Sequence, residues 1–214
     1  MVRRIRERVC GLITLKRLVY LISPNKINQS FYASLDKVLS LKNVKFFQLR
    51  VKNVSQKKIL LISKKVKKIT TKHKVKFIIN DYFSLASKIK ADGCHMGQLD
   101  GSLTVARQKL KNKILGVTCH NSKVLAKIAL KNKANYIALG SFYKSKLKPK
   151  AKKAELSVLR WAKKNIKKPI VVIGGIDNLN YKKLVKAGAN YIALSSYIWD
   201  NPNLKPEIAI RKFK

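Results

Sequence analysis

The segment Ala134-Asn135-Tyr136-Ile137-Ala138-Leu139-Gly140-Ser141 returns almost letter for letter as Ala189-Asn190-Tyr191-Ile192-Ala193-Leu194-Ser195-Ser196. A looser third copy runs Ala91-Asp92-Gly93-Cys94-His95-Met96-Gly97. In each, a Lys-rich helical stretch ends in a small turn and a short apolar run follows, which is the hinge of a repeating α/β unit. A chain that reuses this hinge is confined to folds assembled from successive β-α units.

Short β-branched and aromatic runs recur at intervals of about 20 to 30 residues, each followed by helical periodicity. They predict eight strands, over Arg17–Ile22, Phe46–Leu49, Val75–Ile79, Gly93–His95, Ile114–Val117, Tyr136–Leu139, Ile170–Ile173 and Tyr191–Leu194. Helices are predicted over Gln29–Ser40, Gln56–Lys72, Tyr82–Lys88, Leu103–Leu110, Asn121–Leu130, Ala154–Lys164, Leu179–Lys186 and within Leu204–Phe213. Strands that are apolar throughout, in strict alternation with helices, imply a parallel sheet covered by helices. Eight units in 214 residues leave room for one domain. The expected fold is therefore α/β, a single (β/α)8 TIM barrel, and no glycine-rich dinucleotide fingerprint follows the first strand to favour an open sheet.

The barrel is expected over residues 17–214, behind a basic extension at 1–16 that holds Arg3, Arg4, Arg6 and Arg8. That extension lacks the long apolar stretch and small-residue cleavage site of a secretory signal, and the Ser content of an organelle presequence. Lys interrupts nearly every apolar run, so no membrane span is expected. Three cysteines, Cys10, Cys94 and Cys119, are odd in number and lack metal-ligand spacing, which fits a reducing cytoplasm. The 49 basic residues against 9 acidic ones give a formal charge of +40. That excess predicts nonspecific attraction to polyanions at low salt. It is mostly Lys spread over every predicted helix, without a basic tail or an RNA-binding motif, so no dedicated nucleic-acid partner is expected.

In such a barrel the active site forms at the C-terminal ends of the strands. There the sequence places Gln48, Arg50 and Lys52 after strand two, Asn80 and Asp81 after strand three, and Asp100 beyond strand four. Thr118 ends strand five, Ser145 and Lys148 lie in the loop after strand six, Gly174 and Gly175 follow strand seven, and Ser195 and Ser196 follow strand eight. Two of the few acids converge on a rim rich in cations. Asp81 and Asp100 suit Mg2+, a hard ion that takes one or two carboxylates, waters and phosphate oxygens. The competing reading makes them caps of the third and fourth helices. Arg50, Lys52 and Lys148 can neutralise a diphosphate, and the Gly-Gly and Ser-Ser loops suit a phosphate ester. His95, flanked by the core-like Cys94 and Met96, reads as structural; His120, near a helix start, stays open as an acid-base group. Cys119 has no evident base and is not expected to act as a nucleophile.

Together these motifs resemble the thiamine-phosphate synthase family from about Leu18 to Ile198: Gln48-Leu49-Arg50 with Lys52, Ile79-Asn80-Asp81, the Ala91-Asp92-Gly93 hinge with His95-Met96-Gly97-Gln98 and Asp100, Gly174-Gly175-Ile176, and Ser196. The resemblance implies an Mg2+-dependent transferase that condenses hydroxymethylpyrimidine diphosphate with thiazole phosphate. It assigns Arg50, Lys52, Asn80 and Lys148 to pyrophosphate, Asp81 and Asp100 to the metal, Gln48 to the pyrimidine, and Gly175, Ser195 and Ser196 to the thiazole phosphate. Gly174 joins Gly175, Thr118 and Ser145 keep hydroxyls where the family carries them, and Arg50, Lys52, Lys148 and Thr118 form the implied catalytic set. Ser141 and Leu147 depart from the family's usual proline and threonine. The expected partners are these two small molecules, with a homo-oligomer left open. A thiazole tautomerase using His120, and a noncatalytic polyanion-binding barrel, are the alternatives.

Overall fold

A strand that pairs in parallel and is covered by helices on one side and closed on itself on the other has no face left for water. The computed structural model describes residues 18–144 and 153–213. In chain order it contains β1 (Val19–Ile22), α1 (Gln29–Ser40), β2 (Val44–Leu49), α2 (Gln56–Lys72), β3 (Lys76–Asn80), β4 (Gly93–Met96), α3 (Leu103–Leu110) and β5 (Ile114–His120). There follow α4 (Lys123–Lys131), β6 (Tyr136–Gly140), α5 (Leu156–Asn165), β7 (Ile170–Ile173), α6 (Tyr181–Lys186), β8 (Tyr191–Leu194), α7 (Ser196–Trp199) and α8 (Pro206–Ile210). The strands pair in sequence order and β8 closes on β1, all in parallel, so the expected eight-stranded barrel is present.

Successive residues of each strand enter two different cores. Val19, Leu21, Phe47, Ile79, Ile137 and Leu139 pack outward with helix residues such as Leu35, Ile59 and Ala129. Tyr20, Ile22, Phe46, Ile78, Tyr136, Ala138, Val171 and Ala193 form a separate buried cluster, the filling of the barrel. Burying both sets is what makes every strand read as continuously apolar.

The sequence repeat has a mechanical explanation at the bottom of the barrel. Asn190 Oδ1 accepts from Ile170 N at 2.9 Å, and Asn190 N donates to Ile170 O at 2.9 Å. Asn135 does the same to Leu115, and Asp92 the same to Phe77. In all three copies the second residue ties the start of one strand to the start of a neighbour. Its side chain satisfies a backbone N–H that would otherwise be unpaired.

Helix starts follow local capping. Asn28, Ser55, Ser102 and Ser122 accept from the backbone N–H three residues on, each worth ~1 kcal/mol. The helix expected at Tyr82–Lys88 is instead a 3-10 turn, Phe83–Leu85, whose start has no side-chain cap. The short helix α7 was not expected. Residues 1–17, most of them in the expected extension, lie outside the described residues. No described helix is long and apolar enough to cross a membrane.

Candidate active site

Strand parity decides which side chains face the barrel mouth. Two positions beyond the inward Phe46 stands Gln48, beyond Ile78 stands Asn80, and beyond Ala193 stands Ser195. Gln48 Nε2 donates to Asn80 Oδ1, so β2 and β3 are joined by side chains at the level of the rim. His95 also points inward, while its neighbours Cys94 and Met96 belong to the outer core. His95 is thus buried in the barrel filling and not in the outer core of its neighbours. It is buried at 8% exposure, yet held by two polar partners, Tyr136 Oη at Nδ1 and Thr118 Oγ1 at Nε2, each at 2.8 Å.

Arg50 leaves β2 with its backbone fixed by Ser23 beyond β1. Ser23 Oγ accepts from Arg50 N at 2.9 Å and lies 3.2 Å from Arg50 O. The Arg50 guanidinium donates to Asn25 Oδ1 at 3.4 Å. Ser23 and Asn25 were not singled out from the sequence. Small polar residues just past a strand whose neighbour ends in an arginine were the available signal.

Asp81 stands with φ +64, its N–H donating to His95 O at 2.8 Å. Asp100 curls back in a tight turn so that its Oδ2 accepts from Gly97 N at 2.5 Å. These two loops bring the carboxyl groups close enough for Asp100 to act on Asp81. Neither serves as a cap: Ser102 caps α3, and the turn after Asp81 has no side-chain cap. The Asp81 carboxyl is pushed up to about 7, first by burial, then by the hydrogen bond and like charge of Asp100, while Arg50 and Lys52 pull it down. Two other acids are held by cations, Asp36 by Lys72 and His73, and Asp92 by Lys67 and Lys76.

A carboxyl whose folded-state pKa exceeds its unfolded value binds more protons folded than unfolded at the pH values between. Stability then falls as pH rises from about 4 to about 7 and stays lower above. The metal-free protein is expected to melt at a lower temperature near pH 8 than near pH 5, and Asp81→Asn to flatten that fall. Calorimetry of both proteins in a chelator checks this; parallel pH profiles would assign the fall to other groups.

On the opposite side of the mouth, Gly174 and Gly175 take φ +105 and +58, conformations that a residue with a Cβ rarely adopts. A Cβ on Gly175 would also strike the Lys144 carbonyl and Tyr143, so the loop after β6 lies directly against this turn. Asn180 Nδ2 donates to Gly175 O at 3.0 Å, and Asp177 Oδ1 accepts from Leu179 N and Asn180 N, both at 2.9 Å, fixing the turn's far side. Ser195 donates from Oγ to Ser23 O at 3.2 Å and precedes α7, which starts at Ser196. The glycine turn, Ser195 and this short extra helix are the elements from which barrels build phosphate sites.

The structure thus gathers Gln48, Arg50, Lys52, Asn80, Asp81, Asp100 and Thr118 around one mouth, with Gly174, Gly175, Ser195 and Ser196 on the loops after β7 and β8. Ser145 and Lys148, together with Leu147, lie outside the described residues. His120 is exposed at the end of β5, past an irregularity in its pairing with β6.

Residues 19–198 match the family model described as thiamine monophosphate synthase. A thiamine-phosphate synthase of Pelagibacter ubique is 55% identical over 200 residues, spanning 93% of this chain and 97% of that one. That of Erythrobacter litoralis is 38% identical over 186 residues, spanning 85% and 87%. Among solved structures, a thiamine phosphate pyrophosphorylase from Pyrococcus furiosus superposes with a TM-score of 0.82 at 26% identity, covering 92% of this chain and 94% of its own. Match and geometry run along the same strands, and the chain belongs to the thiamine monophosphate synthase family.

Proposed function

We propose that the protein condenses hydroxymethylpyrimidine diphosphate with thiazole phosphate, giving thiamine phosphate and pyrophosphate. The C–O bond to pyrophosphate breaks, its electron pair leaves with the pyrophosphate, and the thiazole nitrogen supplies the pair for the new C–N bond. No proton need move, so the reaction asks the rim for positioning and charge and not for an acid-base group. The observation that carries this reading is the pair Asp81 and Asp100. In a chain with 49 bases and 9 acids, these two carboxyls stand close enough to interact on a basic rim, and no ion pair to a cation holds either of them among the described residues. Such a pair is stable when a proton or a metal ion lies between its charges.

Mg2+ fits that donor set. Among the described residues no group of three or more His, Cys, Asp or Glu side chains could hold a metal. Two carboxylates completed by waters and phosphate oxygens meet the usual demand of this ion, whereas most other metals take more protein ligands. Asp81 and Asp100 would hold it, and it would supply neutralisation of charge on the pyrophosphate. Arg50, Lys52, Asn80 and Lys148 would bind the same group, and Gln48 would meet the pyrimidine. Thr118 and Ser145 would give hydroxyl contacts to substrate. Gly174, Gly175, Ser195 and Ser196 would hold the thiazole phosphate through backbone N–H groups and hydroxyls. Catalysis of this kind is positioning plus electrostatic stabilisation of a leaving anion. A cytoplasmic setting accords with Cys94 and Cys119, both free and buried.

Incubation of the purified protein with both substrates and Mg2+, read by chromatography of thiamine phosphate and pyrophosphate, tests the proposal. Equal amounts of both products are expected, and removal of metal by EDTA should abolish them until Mg2+ is restored. Absence of thiamine phosphate from active-temperature, folded protein would overturn the reading; full activity in EDTA would overturn its metal dependence alone.

A further inference from the structure

Through the largely apolar filling of the barrel, below the rim, runs one line of polar groups. Tyr20 Oη lies 2.7 Å from Tyr136 Oη, Tyr136 Oη lies 2.8 Å from His95 Nδ1, and His95 Nε2 lies 2.8 Å from Thr118 Oγ1. The line starts at Tyr20, 1% exposed, and ends at Thr118, half-buried on the rim. It draws its members from β1, β6, β4 and β5. The chain makes room for it: Gly116 pairs in register with Tyr136, and a Cβ on Gly116 would collide with that tyrosine's ring and hydroxyl.

Protons can be placed along this line in two ways. Running outward, Tyr20 donates to Tyr136, Tyr136 donates to Nδ1, Nε2–H donates to Thr118, and the Thr118 proton is left to point at the mouth. Running inward, Thr118 donates to Nε2, Nδ1–H donates to Tyr136, Tyr136 donates to Tyr20, and the Tyr20 proton is stranded. Tyr136 is the only hydrogen-bond partner of the Tyr20 hydroxyl among the described residues. Burying an unsatisfied donor is costly enough to favour the outward direction by about ten- to a hundredfold in population. Tyr20 is a dead end, and a dead end sets the direction of the whole line.

We propose that Tyr20, Tyr136 and His95 are positioning residues that hold Thr118 as a fixed hydrogen-bond donor facing the mouth, for an acceptor oxygen of the diphosphate substrate. The same polarity denies Thr118 a base, because Nε2 carries a proton and has no lone pair to receive another. Thr118 therefore donates to substrate and does not attack it. The use of that donor rests on the synthase reading; the polarity does not.

Two measurements test this separately. The chain has three histidines, so 15N spectra of the ligand-free protein, with His73→Gln and His120→Gln used for assignment, report the His95 tautomer directly. A proton on Nε2 alone is expected, and a proton on Nδ1 would overturn the proposal whether or not the protein is a synthase. In the condensation assay, Tyr136→Phe is expected to lower kcat about three- to tenfold, the scale of one lost hydrogen bond, and to have no further effect in a Thr118→Val background. Its His95 spectrum should become a mixture of both tautomers. Unchanged kcat, or losses that multiply in the double variant, would remove the positioning role even if the spectrum of the parent protein is as expected.

Discussion

Asp100→Ala is expected to lower turnover by about 100- to 1000-fold while shifting the melting temperature by only about 2–4 °C. The stability cost comes from one contact, the acceptance of Gly97 N by Asp100 Oδ2. A hydrogen bond at a partly exposed turn is worth ~1 kcal/mol. The catalytic cost comes from charge. If Asp100 helps hold the ion that neutralises departing pyrophosphate, its removal forfeits several kcal/mol of barrier, and every ~1.4 kcal/mol is tenfold in rate. Asp100→Asn separates the two roles, because its amide oxygen still accepts from Gly97 N. That variant should be as stable as the parent or more so, since the like charge beside Asp81 is gone, yet nearly as slow as the alanine variant. His120→Ala is the control: an exposed side chain at the last position of β5 should change turnover by no more than about twofold. Single-turnover rates and thermal melts of the three variants decide. An active Asp100→Ala protein beside a folded but dead His120→Ala protein would point to tautomerase chemistry.

The barrel was legible because its information is local. Most strands announce themselves by β-branched residues, three follow a repeated small-residue hinge, and Ile170–Ile173 and Tyr191–Leu194 have the predicted ends. Strand ends beyond the apolar run were harder: β5 continues to His120, where half-buried Thr118 and exposed His120 flank the buried Cys119 and blur the apolar run. The third helix failed for a related reason. Tyr82–Lys88 has helical periodicity, but Asp81 at positive φ redirects the chain and only Phe83–Leu85 winds, as a 3-10 turn.

The site was legible in outline by the same local route, since residues just past a strand end must stand at the mouth. What the sequence withheld is which way each strand residue faces. In a barrel both faces of a strand are buried, so apolar neighbours such as Cys94 and Met96 say nothing about His95 between them. Parity needs a long-range anchor, and here it is the bond between Tyr20 and Tyr136, 116 residues apart. The support of Arg50 by Ser23, 27 residues away, is hidden for the same reason. The convergence of Asp81 and Asp100 was expected from chemistry, as two acids on a basic rim, and it takes the folded loops to bring them close enough to interact.

Arg50→Ala is expected to reduce kcat/KM for the pyrimidine diphosphate by about 100- to 1000-fold, the cost of removing one donor to developing negative charge in a water-poor site. Arg50 is suited to that task by how it is held. Ser23, just beyond β1, pins its backbone, and Asn25 accepts from one guanidinium nitrogen, which leaves the other donors for a substrate. Arg50→Lys should recover only part of the loss, since an ammonium keeps the charge but cannot present two parallel donors to a phosphate. A second consequence needs no substrate. Arg50 pulls the Asp81 carboxyl down against burial and the influence of Asp100. Without that guanidinium, the Asp81 titration seen by carboxyl NMR should move to higher pH in Arg50→Ala and stay close to the parent in Arg50→Lys. A kinetic defect without any movement of Asp81 would place Arg50 on the substrate but away from the carboxylate pair. An Asp81 shift with normal kcat/KM would separate Arg50 from the diphosphate and leave Lys52 and Lys148 to bind it.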